Sequence, residues 1–195
     1  MIAVGIDPSL TSSGVAVIVD GRLAHYSRWG RAGTHGESYT TRNRRVRRMV
    51  REVTAAALSC GTPDVFVIEE QIGMRFSGSE FDRSGVWHGI FGALDAREIG
   101  GVVVANATHK TWITGHGGAN KAEVIAVIDE WFAGEIDPPL AKLRKTKDGP
   151  DDLADAIGFA VMGAYKLGDP IPFEPKDRHR TAIELLPWPK KATVR

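Results

Sequence analysis

Acidic side chains fall at three places in this sequence where an α/β chain can do chemistry. Asp7 ends the short apolar run Ile2–Asp7, Glu69 and Glu70 follow the run Val65–Ile68, and Asp151, Asp152 and Asp155 stand where a long helical pattern begins. In open α/β sheets, ligands bind beyond the carboxyl ends of the strands. An acid placed after buried apolar residues is costly unless it is paired or holds a cation. Asp152 and Asp155 are three apart, so one helical turn presents both on the same side. Each site alone has an ordinary explanation: acids in a first helical turn cap the helix and complement its dipole, and an Asp before Pro8-Ser9 forms turns. Their conjunction is the signal. Three separate elements deliver acid to an edge, with one cysteine, Cys60, and no His pair at zinc spacing. Hard oxygen ligands without soft ones suit Mg²⁺ or Mn²⁺, and several carboxylates converging on such ions suit two-metal phosphoryl transfer.

The elements that must position these acids can be read from periodicity and turn residues. Ile2–Asp7, Val15–Val19 and Arg22–Trp29 predict a three-strand antiparallel meander, with Asp20-Gly21 as a type I′ hairpin turn. After a loop over 30–40, Val46, Val50, Val53 and Ala57 predict a helix from Thr41 to about Cys60. Val65–Ile68 and Val102–Val104 read as buried strands. Residues 71–84 read as a loop and Gly85–Glu98 as a helix. Asn120, with Glu123 three residues on, predicts a capped helix through Phe132. Residues 133–150 read as a loop and Asp151–Leu167 as the last helix. Five prolines after Gly168 predict a tail over 168–195, outside the core and following a domain of residues 1–167. The order implies a mixed five-stranded sheet, a meander plus parallel strands, with helices on both faces.

Composition sets the outer bounds. The chain has 195 residues, 43% of them hydrophobic and 25% charged, which excludes wholesale disorder and a disulfide scaffold. There is no apolar run long enough to cross a bilayer. The opening residues carry no basic region or cleavage site, so a cytoplasmic location is expected. Net charge is +1, so attraction to nucleic acid has to come from local clustering.

At this point the motifs become specific. Ile6-Asp7-Pro8-Ser9 followed by Ser13-Gly14-Val15-Ala16-Val17-Ile18 resembles the opening strand and hairpin of RuvC-type Holliday junction resolvases. Phe66-Val67-Ile68-Glu69 resembles the family's second acidic strand. Lys110, then Gly115 and Gly117, then Ala119-Asn120-Lys121 resembles its Lys…Gly-x-Gly…Lys segment, and Asp152-Leu153-Ala154-Asp155-Ala156 its final helix start. The matches run in order through residues 1–167. The resemblance implies an RNase H-like fold and metal-dependent cleavage of branched DNA, with Asp7, Glu69, Asp152 and Asp155 as a catalytic and metal-binding quartet. It also implies two Mg²⁺ ions per site, Mn²⁺ substituting, and products with a 5′-phosphate and a 3′-hydroxyl. Strand alternation puts Glu69 and Glu70 on opposite faces; only the Ile-Glu context favours Glu69. The family carries a base-contacting aromatic three residues after this Glu, where this chain has Ile72; Met74 and Phe76 are the nearby candidates to replace it.

Lys110 and Lys121 are the candidates for backbone phosphates. Arg42, Arg44, Arg45, Arg47, Arg48 and Arg51 form a basic run with one acid, Glu52, in that stretch; Arg44, Arg45 and Arg48 are taken as DNA contacts. Arg75, with Arg83, is a further candidate from the loop after Glu70. The expected partner is branched DNA: four-way junctions, flaps or forks. A four-way junction needs two related nicks, so a two-fold homodimer is expected, with Val86, Ile90, Phe91 and Leu94 as its apolar face. Two alternatives remain from the sequence: an actin-like ATP-dependent kinase or ATPase, whose openings read similarly, and a non-catalytic branched-DNA binder.

Overall fold

The computed structural model describes residues 1–71 and 79–190. The chain opens with β1 (Ile2–Asp7), β2 (Ser13–Val19) and β3 (Arg22–Trp29), an antiparallel meander. Asp20 and Gly21 join β2 to β3 with φ of 50° and 81°, as a type I′ turn requires. After α1 (Tyr39–Ala57), β4 (Val65–Glu69) pairs parallel with β1. After α2 (Glu80–Asp95), β5 (Gly101–Val104) pairs parallel with β4, and the sheet order is β3-β2-β1-β4-β5. α3 (Asn106–Thr114), α4 (Lys121–Trp131), the single turn α5 (Lys145–Asp148), α6 (Pro150–Leu167) and α7 (Asp177–Leu185) follow. The mixed five-stranded sheet with helices on both faces is therefore present. Among the described residues no helix is long and apolar enough to cross a membrane.

The sheet separates two cores by strand alternation. Val4, Ile6, Phe66 and Ile68 face Met49 and Val53 of α1 and Val86, Ile90 and Leu94 of α2. Ala3, Val65 and Val67 face the other way, onto α6. α6 lies almost wholly buried across β1 and β2. Its seat depends on two residues without side chains. A Cβ at Gly5 would collide with the backbone of Ala156 and Ala160, and one at Gly14 with the carbonyl of Asp152. α6 thus rests backbone on backbone, its first turn against the start of β2 and its Ala156–Ala160 stretch against β1.

Several elements differ from the sequence reading, each for a local reason. α2 starts at Glu80 rather than Gly85, with Glu80 and Asp82 in its first turn, where acids complement the helix dipole. Gly85 and Gly89, which weaken the helical pattern, lie against Val46 and Val50 of α1 and let the two helices approach. Val86, Ile90 and Leu94 are buried in this contact, and Phe91 packs on Phe66. The apolar face expected to join two copies is therefore spent inside one chain.

α3 occupies a stretch with no expected element. The tail is corrected too: its prolines leave 170–176 irregular, but the segment docks. Phe173 stacks on Trp131 at 4.1 Å, and Trp112 donates its indole N–H to the His179 carbonyl at 3.2 Å. Arg178 donates to the carbonyls of Trp112 and Ile113 at the end of α3, and Ile183 is buried.

Candidate active site

Alternation decides which acids meet. Asp7 continues the Ala3–Gly5 side of β1, and Glu69 continues the Val65–Val67 side of β4. Because Ile6 pairs with Ile68, the two acids stand side by side on the face that α6 covers. Glu70 follows the end of β4, is exposed and lines the same cleft at its rim. α6 completes the site: Pro150 occupies its first turn after Gly149 in the left-handed region, and Asp151, Asp152 and Asp155 all line the same cleft as Asp7 and Glu69. The cleft has a volume of about 420 Å³.

The electrostatics are those of crowded acids. Burial pushes the Asp7 carboxyl well above the usual range, aided by the Glu69 and Asp155 charges and by a hydrogen bond to Glu69 that only the protonated form donates. Burial, then the Glu69 charge, raises Asp155 to about 7. Asp152 is raised by burial, against the Ser12 hydroxyl that donates to it and Arg28, whose Nε lies 3.4 Å away. Asp151 behaves differently. Burial works against its charge, but the Lys121 ammonium hydrogen-bonded to it holds it below the usual range. Lys121 thus rests on Asp151 rather than pointing free, while Lys110 lines the cleft from α3.

The donor set suits a hard divalent cation. Asp7, Glu69, Asp152 and Asp155 offer only carboxylate oxygens, and among the described residues neither Asp7 nor Glu69 has an ion-pair partner. Carboxylates crowded together without a matching cation are what such an ion would accommodate. The acids ring the cleft rather than close on one point: among the described residues no three are already gathered as ligands.

Three contributors carry little signal in the sequence. Asn106 donates its amide to Glu69 Oε1 at 2.5 Å, Trp87 donates its indole N–H to the Glu69 carbonyl at 2.8 Å, and Arg28 faces Asp152. Asn106 and Arg28 each lie at the carboxyl end of a strand, the one signal that points to them.

The basic run divides. Arg42 makes a two-pronged pair with Asp82 of α2 at 2.9 and 3.0 Å. Arg45 lies 3.4 Å from Glu37 and 3.5 Å from Asp82, and Arg48 is 2.7 Å from Glu52. Arg44, Arg47 and Arg51 are exposed, at helical spacing along one stripe of α1. Arg28, Arg31, Arg44, Arg45 and Arg48 line a second cleft, of about 560 Å³, between the end of β3 and α1. Arg83 lines the acidic cleft. Arg75, Ile72, Met74 and Phe76 lie outside the described residues.

The architecture is that of the RuvC-type RNase H-like fold. Thermus thermophilus RuvC superposes with a TM-score of 0.60 at 22% identity, over 82% of this chain and 90% of that one. The same protein in complex with Holliday junction substrate gives 0.61 at 20% identity over the same shares. The yeast mitochondrial Holliday junction resolvase Ydc2 gives 0.55 at 13%, over 81% of this chain and 75% of that one. No family model matches the sequence, and no curated protein does.

Proposed function

We propose that this chain is a divalent-metal-dependent endonuclease that cuts branched DNA, with the Holliday junction as its reference substrate. The observation that carries it is the gathering of Asp7, Glu69, Asp152 and Asp155 at one end of a RuvC-type sheet, with Asp7 and Glu69 unmatched by a described cation. Similar solved structures are resolvases, one of them bound to a junction. The second cleft and the α1 stripe offer a basic path for a DNA arm, and basic side chains that meet phosphates release counterions.

Mg²⁺ or Mn²⁺, two ions to a site, held by the quartet would supply Lewis-acid chemistry: an activated water and a stabilised leaving oxygen. The chain's own residues do the rest. Asn106 fixes one oxygen of Glu69. Ser12 and Arg28 hold Asp152, and Lys121 holds Asp151 until a phosphate competes for its charge. Lys110 faces the cleft to balance the approaching backbone. A homodimer, matching the two-fold symmetry of a four-way junction, is part of the proposal.

Cleavage of end-labelled four-way, flap and duplex DNA in Mg²⁺, Mn²⁺ or Ca²⁺ tests it. The expected result is Mg²⁺- and Mn²⁺-dependent nicking of the branched substrates, with 5′-phosphate and 3′-hydroxyl ends. Binding without cleavage in any metal would return the chain to a branched-DNA binder.

A further inference from the structure

His109 is fully buried, neither ring nitrogen makes a hydrogen bond of ordinary geometry, and the residue its ring approaches is Asp155, through both backbone and carboxylate. A buried polar group left unpaired is costly, and this one sits directly behind the acidic cleft. Its Nδ1 lies 3.8 Å from Asp155 Oδ1, a few tenths of an ångström beyond hydrogen-bond range. The ring is held in plane by Phe159, with centroids 4.0 Å apart and planes 25° from parallel. On α6 the space for it is kept by Gly158, where a Cβ would collide with Nε2. A neutral imidazole carries one N–H. Three residues earlier on α3, Asn106 already donates to Glu69. One helix face therefore addresses two of the four acids.

We propose that His109 is a positioning residue for Asp155: its imidazole donates Nδ1–H to the Asp155 carboxylate as that carboxylate takes up a divalent cation. The inference rests on the metal-dependent reading of the cleft. It adds that α3 orients the ligands from behind, as hydrogen-bond partners of ligating carboxylates do.

The test is Mn²⁺ binding to the full chain without DNA, followed by the electron paramagnetic resonance of free Mn²⁺. His109→Leu removes both orphaned nitrogens, so the metal-free variant should melt no lower than the parent, yet bind Mn²⁺ about tenfold more weakly. His109→Asn places an amide N–H where Nδ1 stands and should restore most of the affinity. His109→Gln places it nearer Nε2 and should behave like Leu. Equal Mn²⁺ affinity in the parent and His109→Leu, or in His109→Asn and His109→Gln, overturns the role of His109 alone. If His109→Leu does not fold, the Asn and Gln pair decides. Absence of Mn²⁺ binding by the parent chain overturns both this inference and the nuclease proposal.

Discussion

At the scale of single residues, the acids have separable duties. Asp7→Asn, Glu69→Gln and Asp155→Asn each remove a charged oxygen while keeping shape. Each is expected to lower the Mg²⁺-dependent nicking rate by about a thousandfold or more, since each ~1.4 kcal/mol lost from the transition state is tenfold. Glu70→Gln, at the exposed rim of the cleft beyond β4, should keep most of the parent's nicking; equal losses in Glu69→Gln and Glu70→Gln would undo the assignment. The same acids set a pH dependence in the metal-free chain. Asp155 titrates near 7 when folded, against an ordinary 3.8. The folded state therefore holds the proton more tightly, and its contribution to stability is full below about pH 4 and lost as pH rises through 7. Melting in EDTA between pH 4 and 7.5 should show the parent losing more stability than Asp155→Asn; parallel curves would contradict the shift. Periodicity alone does not separate Glu69 from Glu70, because a strand end offers both faces. The register of Ile6 against Ile68 separates them, and that pairing joins residues far apart in the chain.

At the scale of elements, the meander, α1, α4 and α6 are legible in the sequence because their periodicity and caps are strong. Asn120 and Glu123 form the expected capping box. α3 is not legible. Its nine residues include three threonines, whose β-branching disfavours helix, and its buried side chains are a His, a Trp and an Ile rather than an aliphatic stripe. Gly115 marks its end, stopping the helix at φ 100°, but in the sequence that glycine stands out only as part of a family pattern. The basic run looks like one feature in the sequence, and the structure divides it by helical angle. Arg42→Gln breaks the two-pronged pair to Asp82 and should lower the denaturant midpoint of unfolding. The triple change Arg44→Gln, Arg47→Gln and Arg51→Gln should leave stability nearly unchanged. It should reduce the slope of log affinity against log salt by roughly 0.9 for each phosphate that is no longer neutralised; an unaltered slope with junction DNA would make the stripe a solvated face.

At the scale of the whole molecule, the segment beyond Gly168 is the least legible part. Proline marks where regular structure stops, but says nothing of what the side chains between prolines touch. Phe173, Arg178 and His179 close over Trp112 and Trp131, so they brace α3 from outside while α3 addresses the acids from within. Truncation after residue 168 should lower the melting temperature by more than about 5 °C and weaken Mn²⁺ binding with it. A truncated chain with unchanged melting and affinity would make the segment dispensable. The proposed dimer would have to form away from the Val86–Leu94 face, which is already occupied. Light scattering at tens of micromolar should show two chains per particle, and paired symmetric nicks should accompany it.

Gly5 and Gly14 carry a consequence for how this chain tolerates change. They let backbone rest on backbone beneath α6, so the spacing of the acids is set by the main chain, and neighbouring aliphatic side chains can vary in size without moving it. A saturation library selected for nicking should therefore lose nearly every substitution at these two glycines, as it does at Asp7, while Val4, Val15 and Val17 accept other aliphatics. The residues most intolerant of replacement would then include two with no functional group at all.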